Sequence, residues 1–293
     1  MHKEKLKWCL VFLVPVVVMF CFLYAVPLVK VIYTSFFDYK LTVKGMQFSG
    51  FKNYVELFTQ DSVFRVALKN TIVWILLHTF LHVALGVFLA LVLNRKPRGW
   101  QFVRTVYMSP NIIAASAMAL IWRIIYNPDW GIVNGFLKAI GLGSLAQNWL
   151  FGVNTAFGAV TVIWFIYAGY TTTLVLARLL SIPSDLQEAA FIDGCTPIQV
   201  DFRILLPIAK DTITTTMIMA ASYMLTMFPL IYMTTGGGPG NKTYNLSLFL
   251  YQKAMIENNY GYANAVGVVV IIMGMVCMNL IKWMMGERGD RQT

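Results

Sequence analysis

Charge is what this sequence has least of. Asp, Glu, Lys and Arg make up only 12% of its 293 residues, and 58% are hydrophobic. Soluble domains carry roughly 25% charged residues, so an ordinary water-facing surface is excluded. Acids are scarcer than bases: 13 Asp and Glu stand against 23 Lys and Arg, for a formal net charge of +10. Histidine and cysteine are rare too. Two of the three histidines, His78 and His82, share one apolar stretch, and the acids are scattered through polar connections. No convergent acid, base and nucleophile set is visible, so the chain is not expected to be an enzyme. Cys9, Cys21 and Cys277 lie in apolar runs and Cys195 in a polar one. Their spacing gives no disulfide framework, and they read as small packing residues.

Apolar runs fill the chain instead. A spanning helix needs about 20 mostly apolar residues. Six segments qualify: Trp8–Ile32, Thr71–Leu93, Phe102–Tyr126, Ala156–Leu180, Ile213–Met233 and Ala263–Met285. They predict an all-α membrane protein with six transmembrane helices. No Asp or Glu falls between these boundaries. A carrier driven by an ion gradient, the rival reading, needs intramembrane carboxylates, so their absence counts against it. The cations are distributed along the chain in a way that suits a membrane rather than a nucleic acid. Lys3, Lys5, Lys7, the dense connection Arg95, Lys96, Arg98 and Arg104, then Arg178, Arg203, Lys210, Lys282, Arg288 and Arg291 fall on one side if both termini are cytoplasmic. The positive-inside rule favours that orientation. The first apolar run exceeds the h-region of a signal peptide and no A-x-A-like site follows, so it is expected to stay as a helix.

One stretch imitates a nucleotide site. In "GGGPGNKT" (236–243), Gly236, Lys242 and Thr243 fit a phosphate-binding loop, but Asn241 replaces its second glycine. Such a loop needs a strand before it and a helix after it. Here it follows the fifth span on the predicted outer side, and it reads as a glycine-proline turn at the membrane surface.

The large polar interruption on the predicted inner side is residues 181–210, "SIPSDLQEAAFIDGCTPIQVDFRILLPIAK". Ser184 with Gln187 suggests a capping box, and Asp185 suits a first turn. Gly194 stands where a helix ends left-handed. Thr196 with Gln199 suggests a second box, Pro197 a first helical position, and Pro207 a stop. The segment predicts helix, glycine turn, helix. Leu186, Ala189, Ala190, Ile198, Phe202 and Leu205 recur at helical spacing, and Glu188, Asp193 and Asp201 have no evident partner in the chain. One reading is an amphipathic loop resting on the bilayer, although interfacial helices are rich in Lys and Arg on the polar face. The other is a plug for a basic cleft on a partner protein, which the acidic turn favours.

These residues carry a family resemblance. "EAAFIDGCTPIQVDFRILLP" resembles the EAA loop of the membrane subunits of ABC importers, through Glu188, Ala189, Ala190, Asp193, Gly194, Phe202, Leu206 and Pro207. "FSGFKNYVELF" (48–58), "FRVALKNTIVW" (64–74) and "MTTGGGPGNKTYNLSLFLYQKAM" (233–255) are similar to segments of the carbohydrate-uptake permeases of the first type. The resemblance implies a type I ABC importer transmembrane architecture in a bacterial cell membrane. It divides the chain into an N-terminal helix and outer segment (1–66), a permease domain (67–285) and a cytoplasmic tail (286–293). It implies four kinds of partner: a second, non-identical permease chain, two cytoplasmic ATPase subunits, an extracellular solute-binding protein and a carbohydrate, all in a lipid bilayer and with no nucleic acid. ATP and Mg are implied in the ATPase subunits, and no cofactor in this chain. Glu188, Ala189, Ala190, Asp193, Gly194, Phe202 and Pro207 would couple to the ATPase. Gly236, Gly237, Gly238, Pro239 and Asn241 would meet the binding protein.

A sugar pathway needs aromatic faces and hydrogen-bonding groups. Trp164, Tyr167 and Thr171 fall at i, i+3 and i+7 with Tyr170 beside them, and Tyr223 and Met227 share a face of the fifth span. Helix packing or interfacial anchoring is the other reading of these side chains. Pro229, and Pro110 with Asn111, are expected to interrupt their helices. Lys30, near the outer end of the first span, can snorkel to the headgroups. His78 and His82 have the i, i+4 spacing of a metal pair but no third ligand nearby, so hydrogen-bonded packing is expected and no metal.

Overall fold

A computed structural model of the chain describes residues 2–40 and 45–286, with side chains described at residue 9 and, within those ranges, from residue 11 onward. The side chains of Lys3, Lys5 and Lys7, all of Arg288 and Arg291, and the tail beyond Gly286 lie outside the described residues.

The chain folds into helices with one short hairpin. The first is α1 (Val11–Thr34), interrupted only by a wider π-turn at Cys21–Ala25. Strands β1 (Phe37–Asp38) and β2 (Gln47–Phe48) pair antiparallel, with Phe37 opposite Phe48. Then come α2 (Lys52–Thr59), α3 (Ser62–Asn94), α4 (Trp100–Ile112), α5 (Ala115–Ile125) and α6 (Ile132–Ala139). They are followed by α7 (Ala156–Phe165), α8 (Gly169–Leu180), α9 (Ser184–Ile192), α10 (Pro197–Ile208) and α11 (Lys210–Thr226). Last are α12 (Pro229–Thr234), α13 (Leu246–Tyr251) and α14 (Tyr260–Met284).

Four stretches are long and apolar enough to cross a membrane: Val11–Thr34, Ser62–Asn94, Ala156–Leu180 and Tyr260–Met284. Two further helix pairs qualify when each is taken as one broken span. They are α4 with α5, bent by 104°, and α10 with α11, bent by 71°. The count is therefore four to six. Pro110 sits in the tight turn Ser109–Ile112 that makes the first bend, where Ile113 is extended. Pro229 opens α12 just past Met227, whose ψ of 90° ends α11. Both interruptions expected from proline are present.

The chain separates into two compact units. One comprises Met1–Ser62 and Phe249–Ile272. In it Asn53 Nδ2 donates to the carbonyls of Ser35 (2.9 Å) and Phe37 (3.0 Å), tying the hairpin to α2. Lys253 Nζ stands 3.0 Å from Glu257 and 3.8 Å from Asp61, which also accepts from the Tyr262 hydroxyl. None of the most apolar window of α1 is buried in the fold. Such a surface is at home in hydrocarbon.

The other unit comprises Val63–Leu248 and Met273–Thr293. Its core forms where α3 crosses α8, joined by Ala190, Val200, Leu205 and Ala209 from the 181–210 segment. Gly86 permits the crossing, since a Cβ there would lie 2.6 Å from Thr171 Cγ2.

Several expectations need correcting. Pro183, extended at ψ 135°, takes the N-cap of α9; Ser184 is already helical and no side chain caps it. The proline ring fixes φ near the required value, so the turn falls one residue early. Pro207 stands one residue inside the end of its helix, which widens to a π-turn at Asp201–Leu205 and stops at Ile208, where the chain bends by 71°. The wider turn accommodates the missing N–H. Asp201 and Asp211 consequently fall within a helix pair that passes as a broken span. Asp201 is not unpartnered: it forms an ion pair with Arg95. Cys9 and Cys21 are exposed rather than packed, as none of the described side chains from residue 9 to residue 34 is buried.

Gly86→Ala is expected to destabilise the fold by about 1–3 kcal/mol through overpacking. The thermal midpoint in detergent should fall, and an unchanged midpoint would contradict so close a helix crossing.

Candidate solute cavity and coupling elbow

A helix that breaks inside a bundle frees carbonyls that something else must satisfy. α7 stops at Phe165 and α8 restarts at Gly169. Across that gap the Ile166 carbonyl accepts from the Tyr107 hydroxyl, and the Phe165 carbonyl from His82 Nδ1 at 2.9 Å. The restart is close-packed: a Cβ on Gly169 would lie 2.5 Å from the Tyr107 carbonyl.

Beside this break opens a cavity of 420 Å³. Trp164, Tyr167, Tyr170 and Thr171 line it from the broken span, and Tyr223 from α11. These are five of the six pathway candidates. Met227 is the exception: it is buried in the α11–α12 break, and its carbonyl accepts from Asn245 Nδ2. Its ψ of 90° takes it off the helical face it was expected to share with Tyr223. The wall also includes Asn111 at the α4–α5 bend, Thr216, and both His78 and His82. None of the described lining residues is Asp, Glu, Lys or Arg.

The histidines were expected to be packing residues, and part of that holds. His78 Nδ1 meets the Ala220 carbonyl at 3.0 Å, as His82 Nδ1 meets Phe165. Their rings lie 4.1 Å apart, and Trp164 stands edge-on to His78 at 5.0 Å. Trp164 Nε1 is buried with no hydrogen-bond partner. The sequence signal for a site role was present, as polar residues at i, i+4 in an apolar run, but it did not tell a packing pair from a cavity wall.

The glycine-proline loop is held from inside the same unit. Asn70 Nδ2 donates to the carbonyls of Lys242 (2.9 Å) and Tyr244 (2.8 Å). The Thr243 hydroxyl is buried, 2.8 Å from the Gly238 carbonyl and 2.7 Å from Thr235 Oγ1, so it is turned inward rather than toward a ligand. Gly237 has φ +90°, and a Cβ there would strike the Tyr244 ring at 2.4 Å. Gly236 and Asn241 are exposed, Gly238 and Pro239 half-buried, and Gly237 buried.

The 181–210 segment forms an elbow. Gly194, at φ +79°, closes α9 with bonds from its own N–H to Phe191 (3.1 Å) and from Cys195 to Ala190 (2.9 Å). That is a Schellman turn. Thr196 and Gln199 then exchange both bonds of a capping box, with Pro197 first in α10. The elbow has two faces. Ala190, Val200 and Leu205 are packed into the α3–α8 core, and Asp201 is paired with Arg95 at the end of α3. Glu188, Ala189, Asp193, Gly194, Phe202 and Pro207 are exposed, with Ile192 86% exposed among them. Ala190, among the seven proposed coupling residues, faces the core instead.

Comparison with known proteins places this arrangement in a family. Residues 9–286 match the family described as binding-protein-dependent transport system inner membrane component. A probable ABC transporter permease protein of Bacillus subtilis (strain 168), YurN, is 37% identical over 265 residues, 89% of this chain and 90% of the relative. The multiple sugar-binding transport system permease protein MsmF of Streptococcus mutans is 34% identical over 275 residues, 92% of each. A solved chain from a bacterial ABC transporter involved in import of the acidic polysaccharide alginate superposes with a TM-score of 0.83 at 24% identity, over 98% of each chain. The chain therefore belongs to the binding-protein-dependent transport system inner membrane components, as a membrane-embedded permease.

The ion pair that joins elbow to bundle is half-exposed on its Arg95 side, so solvent screens it. A double-mutant cycle with Arg95→Met and Asp201→Asn, read by thermal unfolding, should give a coupling of about 1 kcal/mol. Additive effects would mean that the pair does not hold the elbow.

Proposed function

We propose that the chain is the translocating subunit of an ATP-driven importer of a carbohydrate, with an oligosaccharide as the solute class. The observation that carries the reading is the two-faced elbow, core-locked on one side and presenting an acid beside apolar groups on the other. A surface of that kind suits a groove on a motor protein. Each of two cytoplasmic ATPase subunits binds ATP and Mg; this chain binds neither and catalyses nothing. Closure of the ATPases pushes the elbow through Glu188, Ala189, Asp193 and Gly194, and the core carries the push to α3 and α8. The broken helices repack around the cavity, and access alternates.

In this reading all six segments span the membrane, with both termini in the cytoplasm. A second, non-identical permease supplies the other half of the pathway. An external solute-binding protein meets the loop at Gly236, Pro239 and Asn241, and Gly237 shapes the turn from beneath. Aromatic rings and hydroxyls lining the cavity suit a sugar, and MsmF is named for sugar transport.

The test is Ala189→Cys in the assembled importer, with a cysteine in the ATPase groove. Oxidation should cross-link the two in a nucleotide-dependent way, and sugar uptake into vesicles should require ATP. Labelling of that cysteine only from outside intact cells, or uptake that follows an ion gradient without ATP, would overturn the reading.

A further inference from the structure

The two cavity histidines carry more than packing. A carbonyl oxygen cannot donate, so the Nδ1 atoms that meet Ala220 and Phe165 must bear the protons. In the neutral imidazole this leaves each Nε2 as a bare acceptor. Both rings line the cavity, 4.1 Å apart, and both side chains are more than nine-tenths buried. Trp164 in the same wall stands edge-on to His78 at 5.0 Å, and its buried indole N–H has no hydrogen-bond partner.

The geometry points to His78 and His82 as specificity-determining residues that read solute hydroxyl groups through Nε2. Two adjacent acceptors on one wall accept from neighbouring hydroxyls, as on a sugar ring. They offer no proton to a carboxylate, and none of the described lining residues supplies a cation. The substrate class is thus a neutral, hydroxyl-rich sugar, in contrast to the acidic polymer named for the structurally similar transporter. This rests on the carbohydrate reading above and deepens it.

Each ring nitrogen has its own job, and the two can be separated. Asparagine reproduces the Nδ1 donor to the carbonyl but cannot reach where Nε2 lies, whereas glutamine reaches it at the expense of the carbonyl bond. The assay is uptake by the complete importer in proteoliposomes, with labelled maltose, cellobiose and lactose as neutral probes and digalacturonate as the acidic one. His78→Asn and His82→Asn should keep a near-normal thermal midpoint and raise the KM for the imported neutral disaccharide roughly tenfold, the scale of one lost buried hydrogen bond. His82→Gln should lower the midpoint with the smaller KM change. Asn variants with unchanged KM would overturn the histidine assignment and leave sugar import standing. Wild-type preference for digalacturonate would overturn it as well. A wild-type importer that takes up none of the four sugars would bring down the carbohydrate reading, and this inference with it.

Discussion

In hydrocarbon a helix satisfies its own backbone, and a broken helix does not. That constraint organises the permease unit. α11 ends short of α12, and the freed carbonyls of Leu225 and Met227 accept from Ser247 and Asn245. α7 ends short of α8, and the carbonyls of Phe165 and Ile166 accept from His82 and Tyr107. Each such carbonyl left unmet in hydrocarbon would cost about 1–3 kcal/mol, so these polar side chains are structural first. The cavity lies against the same breaks, because that is where polar groups already stand inside an apolar bundle.

The elbow answers a different demand. In the proposed function this segment receives force, and such a segment must be stiff within itself and fixed to what it moves. Stiffness comes from the Schellman turn at Gly194 and the capping box at Thr196, which satisfy the helix ends at the corner. Fixation comes from Leu205, Val200 and Ala190 in the core and from the Arg95–Asp201 pair. Together they make the corner part of the α3–α8 crossing rather than a loose connection.

Much of this was legible in the sequence, for physical reasons that differ by feature. Apolar length marks a span even across a break in its helix, so Ala156–Leu180, α7 and α8 together, emerges with the same ends in both. Proline marked the bends at Pro110 and Pro229, and the Thr196 box needed only three-residue spacing. The break at 166–168 has no proline; its one local hint is Gly169, whose need comes from Tyr107 far away in the chain. Asp201 and Arg95 stand 106 residues apart, beyond any local pattern. Met227 was misplaced because a helical face was extended past the residue where the helix ends. The histidine pair was visible, but which nitrogen is spent and which is left depends on carbonyls from two other helices.

The central claim is that the elbow and the α3–α8 crossing move as one body. Spin labels at Ile192→Cys and Phe88→Cys, in a background with the native cysteines replaced, report it in the assembled importer. The account predicts the same distance distribution with and without trapped nucleotide. A distribution that shifts by several ångströms between the two states would show the elbow swinging on a hinge, and would contradict it.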